Sequence, residues 1–518
     1  MSTDSISIPA RLELLRQSNS RWLSRPRNTG FDDPNRSAAL TLDLLGLHQD
    51  ASRLALDEAA LAALLEYAAA CNLRGAIAAL FAGQSVNRSE DRPALHMALR
   101  DPAGEVGLAP AAAAEVRRVR ERMLDLAAHL RRGRLPAGGE VRHVLHLGIG
   151  GSDLGVRLLG RALPAPAAEL PEIHFLNVPD PDQWRALRDR LDPRHTVVIV
   201  ASKSFTTAET RLIADAVLDW LGALRSERAF AVTAAPEAAA TQGYAAANTL
   251  PLWPWVGGRY SLWSAVGLAA AVAIGPDAFR QLLAGAAAMD RHFATAAPAE
   301  NLPLRLALYD FWQHRIQGHR ARGVYVYDPR LALLPDWLVQ LEMESLGKSV
   351  DQRGAALTDP AVPLVHGGSG LALQHALYQA LHQGVWRWPV ELLGVAAGAD
   401  AGRGILAGSD ELHLASMLAQ AQAFCRGAAH ADPARALAGG IPVSLWLLDK
   451  LDPHTLGALL AAYEHKVFAL GVLHGVNPFD QWGVETGKRL ARDLLDPARR
   501  AAAADPQTHR LLRRLGWL

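Results

Sequence analysis

Val141-Arg142-His143-Val144-Leu145-His146-Leu147-Gly148-Ile149-Gly150-Gly151-Ser152-Asp153 is an apolar run that breaks into glycines and a serine. Such a run reads as a buried parallel strand that delivers its C-terminal end into the start of a helix. His195-Thr196-Val197-Val198-Ile199-Val200-Ala201-Ser202-Lys203-Ser204-Phe205-Thr206-Thr207 repeats the plan, ending in hydroxyls and a lysine. At these junctions free backbone N–H groups and the positive end of the helix dipole attract an anion. Glycines admit close backbone approach, and Ser or Thr side chains add neutral donors. Either loop alone fits an ordinary turn as well as a phosphate site. Two in one α/β stretch favour the phosphate.

Neither loop follows the common nucleotide patterns. A dinucleotide fingerprint requires a third glycine where Asp153 stands, and a P-loop starting at Gly150 would require Gly-Lys-Ser/Thr where Gly155-Val156-Arg157 stands. A dinucleotide oxidoreductase is disfavoured on these grounds.

Outward from these loops, strands are expected near 141–147, 173–177, 196–201 and 229–232, alternating with Ala- and Leu-rich helices. Alternation of this kind implies a parallel sheet covered on both faces. Leu135-Pro136-Ala137-Gly138-Gly139 reads as a linker into this unit, and an apolar helix after Tyr260 closes it. A second α/β unit is expected from 321, with strands at 323–327, 362–365 and 390–395 and helices at 335–348 and 372–383. Residues 1–36 read as irregular, residues from about Leu40 to Leu130 as helical, and the last sixty as helical. The expected division is a mostly helical segment over 1–135, α/β domains over 136–275 and 276–490, and a helical tail over 491–518.

Composition narrows the function classes. With 50% hydrophobic and 20% charged residues the chain is globular, and a net charge of +1 gives no global attraction to nucleic acid or anionic membrane. Cys71 and Cys425 cannot build a disulfide framework, and there is no CxxC. The N-terminus lacks a signal-peptide pattern, and the apolar stretch Tyr260 to Pro276 falls short of a bilayer span. A soluble cytoplasmic protein, without nucleic-acid or membrane partners, is expected. Of 53 basic residues only five are lysines, at 203, 348, 450, 466 and 488. Three of them fall in the segments singled out here.

The helix opened by Leu334-Pro335 places Trp337, Leu341, Glu344 and Lys348 on one face, with Glu342 pointing elsewhere. A carboxylate held against apolar walls has its charged form disfavoured, which suits a general base. A Glu344–Lys348 surface pair explains the spacing at least as well. Arg259, in Gly257-Gly258-Arg259-Tyr260-Ser261, sits at a helix start where the dipole opposes a cation, so it needs an anionic partner. An anionic intermediate or a neighbouring Asp would serve. His375, Tyr378, Gln379 and His382 fall on one helical stripe, where a histidine could shuttle protons or merely be hydrogen-bonded. Gln481, Glu485 and Lys488 follow i, i+4, i+7, which also fits a solvated amphipathic face.

Six ordered motifs resemble the phosphoglucose isomerase family. They are Gly148-Ile-Gly-Gly-Ser-Asp-Leu-Gly155, Ser202-Lys-Ser-Phe-Thr-Thr-Ala-Glu209, Val256-Gly-Gly-Arg-Tyr-Ser-Leu-Trp-Ser264, Gln340-Leu-Glu-Met-Glu-Ser345, Gln374-His375 and Phe479-Asp-Gln-Trp-Gly-Val-Glu-Thr-Gly-Lys488. Asn87 to Arg100 also resembles the family's N-terminal region. The resemblance implies an α/β fold of two sugar-isomerase (SIS-type) α/β/α sandwich domains with parallel sheets, plus helical N- and C-terminal segments. It implies reversible interconversion of glucose 6-phosphate and fructose 6-phosphate through a cis-enediol, in glycolysis and gluconeogenesis, with no metal and no cofactor. By position, Gly151, Ser152, Ser202, Lys203, Ser204 and Thr207 resemble the phosphate cradle. Glu344 matches the base and Arg259 the cation that stabilises the enediolate. His375 and Lys488 match the ring-opening groups, and Gln340 and Gln481 match ligand-contacting glutamines. A homodimer is implied, with His375 acting in the neighbouring subunit's site. The chain departs from the family at Leu371-Ala372-Leu373, at Ser204, Leu346 and His474, and at Ile441. The apolar 371–373 segment keeps open a broader isomerase that also takes mannose 6-phosphate. A non-catalytic sugar-phosphate sensor is the competitor from another class.

Overall fold

The computed structural model describes residues 7–24, 33–164, 171–397 and 408–518. These residues form two compact units, 1–478 and 479–518. The larger unit carries both sheets. Its strands are β1 (Thr41–Leu44), β2 (Leu47–Arg53), β3 (His143–Leu147), β4 (Glu172–Leu176), β5 (Thr196–Ala201), β6 (Ala229–Thr233), β7 (Thr249–Pro251), β8 (Ala321–Val326), β9 (Leu364–Ser369), β10 (Val390–Ala397) and β11 (Val443–Lys450).

The first sheet runs β4-β3-β5-β6-β7 and is parallel throughout. On one face Leu145, Leu147, Val198, Val200 and Ala231 pack against Ile213, Val217 and Leu221 of the helix Ala208–Leu221. The alternate residues Val144, Val197, Ile199 and Val232 are buried as well. A strand buried on both faces has no polar alternation, which is why these strands read as unbroken apolar runs. After β3 the chain turns to β4 on one side and then crosses to β5 on the other. The C-terminal ends of β3 and β5 therefore border a topological switch point, where open α/β sheets bind ligands.

The second sheet runs β1-β2-β11-β10-β8-β9. Its β8, β9, β10 and β11 are parallel, as the expected second α/β unit requires. β1 and β2 are not helical: they form an antiparallel hairpin, and β2 pairs antiparallel with β11. The turn Leu45-Gly46 has both φ values positive (54° and 76°), as a two-residue hairpin turn demands. Residues 1–36, expected to be irregular, include the helix Ile8–Leu23 and the start of Pro34–Ala39, while 25–32 lie outside the described residues.

Two expected helices are interrupted. Helix 335–348 is an α-turn, Leu334–Val339, followed by a π-turn, Gln340–Glu344. Helix 372–383 is split into Gly370–Gln374 and Tyr378–Gln383. Leu371, Leu373 and Leu377 pack on the buried cluster around Tyr325, Tyr378 and Phe424. The 371–373 segment is thus a packed helical turn, which explains its apolar character.

Among the described residues, the helix Pro453–His474 is a longer apolar element than the stretch Tyr260 to Pro276. Its length and composition would suit a bilayer, yet 94% of its apolar window is buried inside the protein. It carries the consecutive polar residues Glu464, His465 and Lys466, all buried. Each is partnered, as burial requires. Glu464 accepts from Arg100 Nη1 (2.6 Å) and Trp263 Nε1 (2.8 Å), and burial pushes its carboxyl up to about 7. His465 meets Asp290 at 2.6 Å, and Lys466 donates to Glu342 at 3.0 Å.

The smaller unit contains the helices Glu485–Leu495 and Pro506–Arg514. Asp505 caps the latter by accepting from the Thr508 N–H at 2.7 Å.

Candidate active site

Three loops converge at the switch point. β3 ends in the turn Gly150–Ser152, pinned from beneath by the His146 imidazole, whose Nε2 lies 2.8 Å from the Ser152 carbonyl oxygen. Gly151 lies so close to the segment after β7 that a Cβ there would overlap the Gly258 carbonyl and stand 2.7 Å from the Arg259 nitrogen. That close approach is the physical reason for a glycine at 151. β5 ends in Ser202-Lys203-Ser204. The Lys203 ammonium donates to the carbonyls of Val256 (2.7 Å) and Pro254 (3.0 Å), using two of its three donors. It therefore ties the second loop to the segment leading into Arg259.

The Ser202 hydroxyl is buried and has no hydrogen-bond partner in this structure, a condition that a ligand oxygen would relieve. Phe205 takes a positive φ of 55° while its ring is buried in the core, and this turns the chain so that Thr207 starts the helix Ala208–Leu221. Thr207 does not cap that helix with its side chain. Ser204 is exposed and shares a 2.8 Å hydrogen bond with Thr206. Burial, reinforced by Arg92, pulls the Lys203 ammonium down to about 8.

The catalytic candidates Glu344 and Arg259 meet directly. Arg259 Nη1 is 3.4 Å from Glu344 Oε1, and Gln340 Nε2 donates to Glu344 Oε2 at 3.0 Å. Gln340 also reaches the first loop, because a Cβ on Gly150 would stand 3.0 Å from its Nε2. The structure thus brings together Gly151, Gln340, Glu344 and Arg259, with Lys203 anchoring the neighbouring loop. Arg259 is buried. It donates through Nε to the Ser345 hydroxyl (2.6 Å) and through Nη2 to the Pro478 carbonyl (2.6 Å). Glu344 is therefore an anionic partner of this cation at the helix start.

The surroundings of Glu344 differ from the helical-face expectation. The carboxylate faces a guanidinium and an amide, partners that the helical spacing did not announce. Lys348 donates to the Glu344 backbone carbonyl at 3.1 Å. Glu342 is the deeply buried acid. Both its oxygens accept from Arg322 Nη2 at 2.6 Å, and Lys466 supplies a further donor. The two acids are two residues apart, about 200° around the axis of a helix, and so face opposite ways.

His375 is separated from Tyr378, Gln379 and His382 because the helix breaks after Gln374, while Tyr378 and His382 stay on one face and both pack on Phe424. Tyr378 is buried and hydrogen-bonded to Tyr327 at 3.0 Å. His382 stacks on Phe424, with ring centroids 4.6 Å apart. His375 is exposed just past the turn Gly370–Gln374. In the smaller unit, Lys488 pairs with Glu485 at 2.9 Å on the exposed face of its helix, and Gln481 precedes the short turn Trp482–Val484. Sequence reasoning missed Ser345 and Tyr260 as supports of Arg259. Tyr260 shares the Ser345 hydroxyl (3.1 Å) and stacks on His96 at 4.6 Å. Their only signal was adjacency to Glu344 and Arg259.

Parallel α/β sheets whose glycine- and hydroxyl-rich loops meet at a switch point, with a carboxylate–guanidinium pair beside them, define a protein of the sugar-isomerase fold class. The family model for phosphoglucose isomerase matches residues 50–512, and the chain belongs to that family. It is similar to a glucose-6-phosphate isomerase of Stenotrophomonas maltophilia, with 44% identity over 488 residues, covering 93% of this chain and 94% of that protein. A glucose-6-phosphate isomerase of Caulobacter vibrioides is 42% identical over 516 residues, covering 94% and 95%. The crystal structure of a glucose-6-phosphate isomerase from Chlamydia trachomatis matches with a TM-score of 0.86 at 29% identity, covering 98% of each chain.

Proposed function

We propose that this chain interconverts glucose 6-phosphate and fructose 6-phosphate through a cis-enediol. The observation that carries the reading is the contact between Glu344 and Arg259 at 3.4 Å, beside the Gly151 turn. The Gly151–Ser152 and Ser202–Thr207 loops hold the phosphate by backbone N–H groups, hydroxyls and the Lys203 charge. Glu344 removes the proton from C2 of the open-chain aldose and returns it to C1. As the proton leaves, negative charge develops on the substrate oxygen, and the Arg259 guanidinium, already desolvated and fixed by Ser345 and Pro478, stabilises it. Gln340 orients the Glu344 carboxylate.

His375 and Lys488 occupy the family's ring-opening positions, with His375 acting from the second subunit of a homodimer. The exposure of His375 suits that role. The enzyme works in the cytoplasm. The apolar 371–373 segment no longer argues for a broader substrate range, since Leu371 and Leu373 pack on the core.

The test is purified protein with fructose 6-phosphate, coupling any glucose 6-phosphate to dehydrogenase-dependent NADPH formation. Saturable turnover is expected. Saturable binding without turnover would replace the isomerase reading with the sensor.

A further inference from the structure

At the end of the first sheet opposite the phosphate loops, three metal-type donors converge. Glu172 and His174 lie two residues apart on β4 and so project from one face of the sheet. His143, at the start of β3, pairs in register with Glu172 and presents its ring on the same face. His143 Nδ1 is 3.2 Å from His174 Nε2. Glu172 Oε2 is 3.7 Å from the first nitrogen and 3.6 Å from the second. At most one of these contacts is a hydrogen bond, since a single proton serves the two imidazoles and the carboxylate oxygen stands too far from either. Three lone-pair atoms instead surround one point.

A tetrahedral zinc ion with bonds of about 2.0–2.2 Å spaces its ligands about 3.3–3.6 Å apart. The observed triangle matches within a few tenths of an ångström. We infer that His143, Glu172 and His174 form a divalent-metal site of the zinc class, with solvent as the fourth ligand on the exposed Glu172 side.

The supporting features are independent of one another. The ligands sit on paired strands, which fix their separation more firmly than loops would. Arg190 donates to Glu172 Oε1 at 3.0 Å, so the carboxylate is oriented by one oxygen and offers the other. Imidazole with carboxylate suits zinc over calcium or magnesium. Bound there, the ion would clamp β4 to β3, and the length of β3 separates it from the Gly150–Ser152 turn.

The experiment is calorimetric titration of the chelator-treated full-length chain with zinc chloride, using wild type, His143→Gln and Glu172→Gln. Both substituted side chains are partly solvent-facing, and unchanged fructose 6-phosphate turnover serves as the folding control. One saturable site per chain is expected in wild type, weakened at least about tenfold in each variant. X-ray absorption of the loaded wild type should show two imidazole nitrogens on the metal. Absence of saturable binding in wild type, or equal binding in all three proteins, would overturn the site.

Discussion

Glu344 and Arg259 show what a residue type can and cannot announce. The pairing of an acid with a cation was foreseeable from Arg259, because a guanidinium at a helix start needs an anion. The surroundings of Glu344 were not, since helical spacing put it against apolar walls and the structure gives it Arg259 and Gln340. Lys203 yields a pH prediction. Its ammonium titrates at about 8, chiefly because burial disfavours the charge. Below that pH the cradle carries a positive charge for the phosphate, and above it the charge is lost. The pH profile of kcat/KM, which reports the free enzyme, should therefore fall with an apparent pKa near 8. In Lys203→Arg, whatever its absolute rate, the descent at that pH should vanish because arginine stays charged.

Among the elements, the strands of the first sheet were legible because burial on both faces leaves an uninterrupted apolar run. The β1–β2 hairpin was not, because Thr41 to Arg53 mixes polar and apolar residues and its turn relies on Leu45 at positive φ. The π-turn at Gln340–Glu344 has no sequence signature, whereas the opposite facing of Glu342 and Glu344 was legible from their two-residue spacing. Behind that turn, Arg322 and Lys466 pair with Asp310, Glu342 and Glu391, with Arg322 3.5 Å from Asp310 and 2.7 Å from Glu391. Arg322→Met removes one cation and leaves three buried carboxylates around Lys466. A loss of about 3–5 kcal/mol in unfolding free energy is expected, read from the urea midpoint at constant m-value. A loss below about 1 kcal/mol would show that the network does not brace the turn.

For the whole molecule, the switch point between β3 and β5 locates the convergent loops, and the family resemblance is the source of the roles proposed for His375 and Lys488, which spacing alone does not suggest. The proposed sharing of His375 between subunits makes a prediction by complementation. Glu344→Gln and His375→Ala, each inactive alone, are unfolded together and refolded as a mixture. A mixed dimer has one site with both groups intact, so the equimolar mixture should recover about a quarter of wild-type activity by random pairing in a two-fold assembly. No recovery, with mixed dimers demonstrated by mass, would place His375 in its own subunit's site.

The central claim is that Glu344 moves the proton. Its most direct measurement is the turnover of fructose 6-phosphate by Glu344→Gln, beside wild type purified identically, with circular dichroism and thermal midpoint showing the same fold. The amide keeps the size of the side chain and removes its basicity. A fall of about 10²–10⁴-fold in kcat, with substrate binding retained, is the predicted result. Turnover within a fewfold of wild type in the folded variant would contradict the account and require another base.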